Sequence, residues 1–365
     1  MIKILQVRNI DSLVESRRQK TSQKDRKTVQ KILNDVKRNG DSAVKKYERK
    51  FNGRQTSQLR VSAKEIKESQ SIISREEVTA IQAMSTRIRN SSPKIQIRGS
   101  SKFVPIPSVG CYIPGGQARY PSSVVMSVIP AKIAGVKRIV VVSPPTRDGK
   151  IDPLTIVAAK MCGATEIYKV GGGQAIGALA YGTKSIPKVD KIVGPGGKFV
   201  SIAKSLVSDQ TAIDMIAGPT ELGIIADASS DPKLVALDLI SQAEHSKDTM
   251  CFVITQSKTV AKKIQKSIEK LIPGTERNSI IKTSISKNGF IAVCKNQNEV
   301  IELANKIAPE HLELMVKNAK SLSKKITGAG LVLIGKNTPS AASDYLLGTN
   351  PVSYTHLTLP TICSV

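Results

Sequence analysis

The chain has 365 residues, 40% of them apolar, enough for a sizeable core and about two domains. No window approaches the roughly 18 apolar residues of a membrane span, nothing near Met1 resembles a secretory signal, and five scattered cysteines without a C-x-x-C pair exclude a disulfide framework or zinc ribbon, so a cytosolic setting is expected. The charge of +26 invites nucleic-acid binding, but the cations are spread along helix faces, aromatics make up only 3%, and no nucleic-acid motif is present; a solvated basic surface that suits an anionic ligand is the better reading.

Residues 1–100 are the most polar part. Val29, Ile32, Leu33 and Val36 at 3–4 spacing predict a helix over Asp25–Tyr47, punctuated by Asn39-Gly40, and a second helix is expected over Ser62–Asn90. Beyond Phe103 the texture becomes strand, loop and helix. Val109–Ile113 reads as a short strand ending in Pro114-Gly115-Gly116, and Tyr120-Pro121-Ser122-Ser123 opens a helix to Ala134. The β-branched run Ile139–Val142 suits a buried parallel strand. Helix Pro153–Cys162, strand Glu166–Val170, loop Gly171–Gln174 and helix Ala175–Tyr181 follow, then strand Lys191–Val193, loop Gly194–Gly197 and a helix from Lys198. Two glycine loops between strand and helix can hold phosphates at helix N-termini, yet neither is a true G-x-G-x-x-G, and glycine used for tight turns explains them equally well. A further series runs from strand Leu222–Ala226 through strands Met250–Ile254, Phe290–Val293 and Leu331–Ile334, with helices Lys258–Leu271 and Glu299–Ile307 between them. Such alternation predicts an α/β fold with mostly parallel sheets covered on both faces.

The helix after Asp231-Pro232 carries Leu234, Leu237 and Ile240 at helical spacing and ends in Ser241-Gln242-Ala243-Glu244-His245. Gln242 and His245, three apart, are expected on one face together with Asp238. An imidazole and an amide oxygen there can form half of a zinc site; read from the residues alone, ordinary polar surface is the competing account. Histidines number only three, His245, His311 and His356. His311 follows Glu310 where Pro309 stops one element and an apolar run starts another, a natural place for a general acid and base.

Together SQAEH, APEHLEL (Ala308–Leu314), SDYLLGTN (Ser343–Asn350), IAGPTE (Ile216–Glu221) and YIPGG (Tyr112–Gly116) resemble, in order and spacing, the histidinol dehydrogenase family over residues 1–350. The resemblance implies two incomplete Rossmann-like domains, one inserted in the other, plus small terminal segments. It assigns an N-terminal arm over 1–20, a zinc and substrate domain from 21–108 with 222–350, and an NAD-associated domain over 109–221. It implies NAD-linked oxidation of L-histidinol to L-histidine by a homodimer, with no nucleic-acid or membrane partner. A relative acting on another amino alcohol or sulfonate is the alternative within enzymes; a basic nucleic-acid-binding α/β protein is the alternative outside them. Zinc is implied on Gln242, His245 and Asp344, which with Thr220, Glu310 and His311 contact substrate. Glu310 is implied to activate water and His311 to carry protons, while Tyr112 and Gln174 touch NAD. At the third NAD position the family's asparagine is Gly197 here, which removes an amide contact. After Asn350 the resemblance breaks: Pro351 stands at a family histidine, and 351–365 is expected to be a foreign tail replacing a segment that supplies a glutamate and the last zinc histidine. His356 in that tail is therefore a poor ligand candidate.

Overall fold

The first strand is β1 (Lys3–Gln6) and the first helix α1 (Ile10–Arg17). The computed structural model describes residues 1–17, 22–53, 58–91, 104–115, 119–146, 148–215 and 220–345, the side chains of Asn52, Ser91, Asp344 and Tyr345 excepted. After α1 the chain leaves this unit. The described residues from 22 to 215 build a second one, and the first resumes at Thr220 and continues to Tyr345. One α/β unit is thus inserted in the other.

The inserted unit opens with α2 (Gln23–Asn52), bent at Gly40, whose φ of 52° is easy only for glycine. Next come α3 (Ala63–Ile72) and α4 (Arg75–Ser91) where the sequence predicts one helix over Ser62–Asn90. The break has a local cause. Ser62 and Glu65 close a capping box, and Ser74 starts another: its N–H donates to Glu77 Oε2 at 3.0 Å while Glu77 N–H donates back to Ser74 Oγ at 3.2 Å. The alternating part comprises β2 (Ser108–Tyr112), α5 (Pro121–Ile133), β3 (Arg138–Ser143), α6 (Pro153–Cys162), β4 (Glu166–Lys169), α7 (Gly172–Tyr181), β5 (Lys191–Val193), α8 (Lys198–Val207) and the two-residue β6 (Ala212–Ile213). The strands form an all-parallel sheet in the order β4-β3-β2-β5-β6. Successive residues of β3 serve opposite faces: Ile139 and Val141 pack with Val125 and Ile129 of α5, while Val140 and Val142 pack with Ile176 and Leu179 of α7. The resemblance assigns 21–108 to the same domain as 222–350. The structure instead docks the Val29, Ile32, Leu33 and Val36 stripe of α2 on α7 and α8, and Ile81 and Ile88 of α4 on the α5 and α6 side. An apolar stripe settles where a matching face is open, and here that face belongs to the five-stranded sheet.

The resumed unit runs β7 (Glu221–Ala226), α9 (Pro232–Ala243), β8 (Met250–Thr255), α10 (Lys258–Leu271), α11 (Asn278–Lys287), β9 (Phe290–Val293), α12 (Gln297–Ile307), β10 (His311–Met315), α13 (Ala319–Ser323), β11 (Leu331–Ile334) and α14 (Ser340–Tyr345). Its sheet is parallel throughout, in the order β1-β9-β8-β7-β10-β11. Residues 1–20 are therefore more than an arm, since β1 completes one edge of this sheet. Leu312 and Leu314 of β10 face the α12 and α13 side, whereas Met315 joins Leu239 and Ala243 of α9 on the other. By the same alternation His311 and Glu313 point to the α9 side. Among the described residues no helix is long and apolar enough to cross a membrane.

Candidate active site

In each unit the strand order reverses once, between β2 and β5 in the inserted unit and between β7 and β10 in the other. Open α/β sheets bind ligands outside the carboxyl ends of their strands at such a switch point. The inserted unit follows this rule: Tyr112 ends β2, and the loop Gly194–Gly197 follows β5. Gly194, at φ 106°, lies so close beneath Tyr112 that a Cβ would stand 2.2 Å from the Tyr112 carbonyl oxygen. A buried ion pair braces this loop. Lys204 Nζ donates to Gly194 O at 3.0 Å and pairs with Asp214, whose Oδ2 accepts Gly194 N–H at 2.8 Å. Around Gly197 a Cβ would meet nothing within 4 Å.

The first glycine loop, after β4, is held by a residue that the sequence did not single out. Glu48 of α2 is fully buried, and its Oε1 accepts Gly171 N–H at 2.9 Å and Gln174 Nε2–H at 2.8 Å. The Tyr112 hydroxyl accepts Gly172 N–H at 3.0 Å. Burial raises that phenol to about 12, so it stays protonated. Gln174, expected in the loop, lies in the first turn of α7 because the helix begins at Gly172. Tyr112 and Gln174 thus come together, both buried, and both shape the loop from within. A sequence signal for Glu48 exists: it continues the apolar face of Val44 and Tyr47 at helical spacing, in a position where a carboxylate needs a partner.

In the other unit the candidates gather at the opposite edge. His311 begins β10, Thr220 immediately precedes β7, and α9, antiparallel to the strands, delivers Gln242 to the same amino-terminal edge. His311 is buried, with Nδ1 3.7 Å from Oε2 of the half-exposed Glu310. The same Oε2 accepts Glu221 N–H at 3.4 Å. Burial, and then the facing Glu310 charge, raise the Glu221 carboxyl to about 7, so this edge holds an acid that titrates near neutrality beside the Glu310–His311 pair. Glu221 closes the IAGPTE motif but carries no expected role.

The expected Gln242/His245 face is only partly realised. α9 stops at Ala243, leaving Gln242 buried on the helix and His245 exposed two residues past its end, its N–H donating to Gln242 O at 3.2 Å. Glu244 keeps a helical φ/ψ of −69° and −18°, but the chain turns away after it. Gln242 Oε1 accepts Ser340 Oγ–H at 3.4 Å. Asp344 lies on α14, which packs against α9, and its side chain is outside the described residues, as are residues 351–365 with His356. Among the described residues no three His, Cys, Asp or Glu gather as a metal-binding group. By donor chemistry an imidazole, an amide oxygen and a carboxylate suit Zn²⁺, and two of the three sit on packed elements, so the residues fit the ion.

Parallel sheets covered on both faces, a glycine loop at one switch point and an acid–imidazole pair at a strand end are the parts of an α/β dehydrogenase. The fold alone is shared with an acetylating aldehyde dehydrogenase from Geobacillus thermoglucosidasius, at a TM-score of 0.50 and 14% identity over 97% of each chain. A histidinol dehydrogenase family model matches residues 15–362. The chain is 42% identical over 334 residues to the histidinol dehydrogenase of Oceanobacillus iheyensis, covering 88% of this chain and 78% of that one. It is likewise 42% identical over 337 residues to that of Methanocaldococcus jannaschii. The crystal structure of histidinol dehydrogenase from Elizabethkingia anophelis superposes with a TM-score of 0.90 at 32% identity, covering 99% of this chain and 89% of that one. The chain belongs to the histidinol dehydrogenase family, NAD-dependent oxidoreductases that oxidise histidinol in histidine biosynthesis.

Proposed function

We propose that the chain oxidises L-histidinol to L-histidine through the aldehyde in two successive two-electron steps, with zinc held by Gln242, His245 and Asp344. The observation that carries this reading is the Glu310–His311 pair, 3.7 Å apart at the amino edge of the sheet that also bears Gln242. When bound, Zn²⁺ supplies a Lewis-acid anchor that orients the substrate, and NAD supplies the hydride acceptor. In the first step His311 takes the hydroxyl proton as a hydride leaves the carbinol carbon, which gives the aldehyde. Glu310 then takes a proton from water as its oxygen adds to the aldehyde carbon, and His311 returns its proton to the former carbonyl oxygen, which leaves the imidazole neutral again. His311 takes a hydroxyl proton of the resulting hydrate as the second hydride leaves, and the product is the carboxylic acid. Burial of His311 fixes the imidazole, while the half-exposed Glu310 can meet water. Thr220, next to Glu221, offers its hydroxyl to substrate. Tyr112 and Gln174 keep the first loop in shape for the dinucleotide, Gly197 leaves room for it, and family membership supports a homodimer as the working form.

Glu310→Gln tests the division of roles. Single-turnover NADH formation starting from the aldehyde should slow by about 10²-fold or more, while the first hydride transfer from histidinol changes only a few-fold. Equal slowing of both steps would refute the assignment of water activation to Glu310.

A further inference from the structure

Behind the Glu310–His311 pair lies a second pair of acids that the reaction does not use. Glu313, in the middle of β10, is fully buried. Its Oε1 accepts Ser340 N–H, the first amide of α14, at 2.6 Å. Its Oε2 is buried and meets no N–H or O–H donor among the described residues, yet its side chain hydrogen-bonds the Asp238 carboxyl of α9. Two ionised carboxylates have only acceptors and cannot bond one another. The contact closes only if one proton lies between them. Burial raises both groups, and the facing Asp238 charge raises Glu313 further. The other titratable groups around Glu313 are the Cys251 thiol of β8, itself raised by burial and by Glu313, and His311 two residues earlier on the same strand face.

From this geometry we infer that Asp238 and Glu313 share a single proton and act as a positioning pair that clamps α9 and α14 onto β10. One oxygen of Glu313 ties β10 to α9 through the shared proton, and the other anchors the amino end of α14. Ser340 then passes the contact to Gln242 through its hydroxyl. The clamp therefore sets the spacing between the helix that presents Gln242 and the helix that carries Asp344. This deepens the zinc reading and rests on it for its consequence, though the clamp itself does not.

Glu313→Gln is the informative variant, because its amide can still accept Ser340 N–H and can donate to an ionised Asp238. Glu313→Ala removes both bonds. Infrared spectra of the full chain at pH 7 should contain the C=O stretch of an un-ionised carboxyl that is missing from Glu313→Gln, over and above the Glu221 band common to both. Hydrogen exchange of residues 336–345 should accelerate at least tenfold in Glu313→Ala and return to within about twofold of wild type in Glu313→Gln. Zinc retained through gel filtration should follow the same pattern, lost in the first variant and kept in the second. The proposal is overturned if wild type and Glu313→Gln have the same carboxyl spectrum, or if the amide fails to restore protection to 336–345. Wild-type protein that binds no zinc would sink the zinc reading and leave the infrared and exchange results to decide this one.

Discussion

Replacing Lys204 by Met should loosen the loop at the switch point of the five-stranded sheet far more than the loss of one surface charge would. The side chains of Lys204 and Asp214 are 2% and 4% exposed. Methionine fills much the same space but gives Gly194 O no donor and Asp214 no cation. Asp214 keeps Gly194 N–H at 2.8 Å and Met215 N–H at 2.7 Å, so its charge remains in place, buried and uncompensated. Breaking one side of a buried ion pair costs about 3–5 kcal/mol. At roughly 1.4 kcal/mol per tenfold, opening of this segment should become 10²- to 10³-fold or more easier. Native-state hydrogen exchange on peptides spanning 191–215 reads that opening directly, without requiring the two units to unfold together. Adding Asp214→Asn removes the stranded charge, and the double variant should recover most of the protection. A single variant that changes exchange by less than about fivefold, or a double variant whose losses simply add, would refute the view that this pair braces the loop.

Two further outcomes follow from the glycine loops. Glu48→Ala strands Gly171 N–H and the Gln174 amide in a dry site, so exchange across 171–174 should rise by the equivalent of about 2–4 kcal/mol, with Glu48→Gln much closer to wild type. Gly197→Asn meets no steric obstacle and caps α8, so it should raise stability by a few tenths of a kcal/mol and tighten NAD binding in calorimetry; weaker binding would show that Gly197 is there to admit the cofactor's backbone.

Where glycine or proline brackets an apolar run, the sequence reading coincides with the structure: Pro153–Cys162, Lys191–Val193 and Leu331–Ile334 stand at their expected bounds. The break at Ile73-Ser74 was also written in the chain, as a second Ser-x-x-Glu cap, but a periodic pattern on both sides masked it. β6 has two residues and too little pattern to read. The candidate site was legible in the residues that its chemistry names. Those that hold it in place were harder to read, because Glu48 has partners 123 or more positions away, Asp238 and Glu313 lie 75 apart and Glu313 and Ser340 27 apart, and only the tertiary fold brings them together. The end of α9 was misjudged for a related reason: Glu244 continues the helical geometry, and only the following turn carries His245 to the surface.

The edge strand β1 gives this protein a particular order of assembly. Gln6 Nε2 reaches Val293 O at 3.0 Å across 287 positions, and Arg17 rests over the Phe290 ring at 4.7 Å. At roughly 5–20 residues per second, a ribosome needs tens of seconds to supply that partner. The inserted unit has meanwhile emerged whole and can close around its own sheet. The first residues to be made therefore wait until the inserted unit is complete before they can dock, and until they do, the buried strand Phe290–Val293 presents an open edge on which a neighbouring nascent chain can pair. The amino terminus acts as a seal that turns a sticky sheet edge into a paired strand.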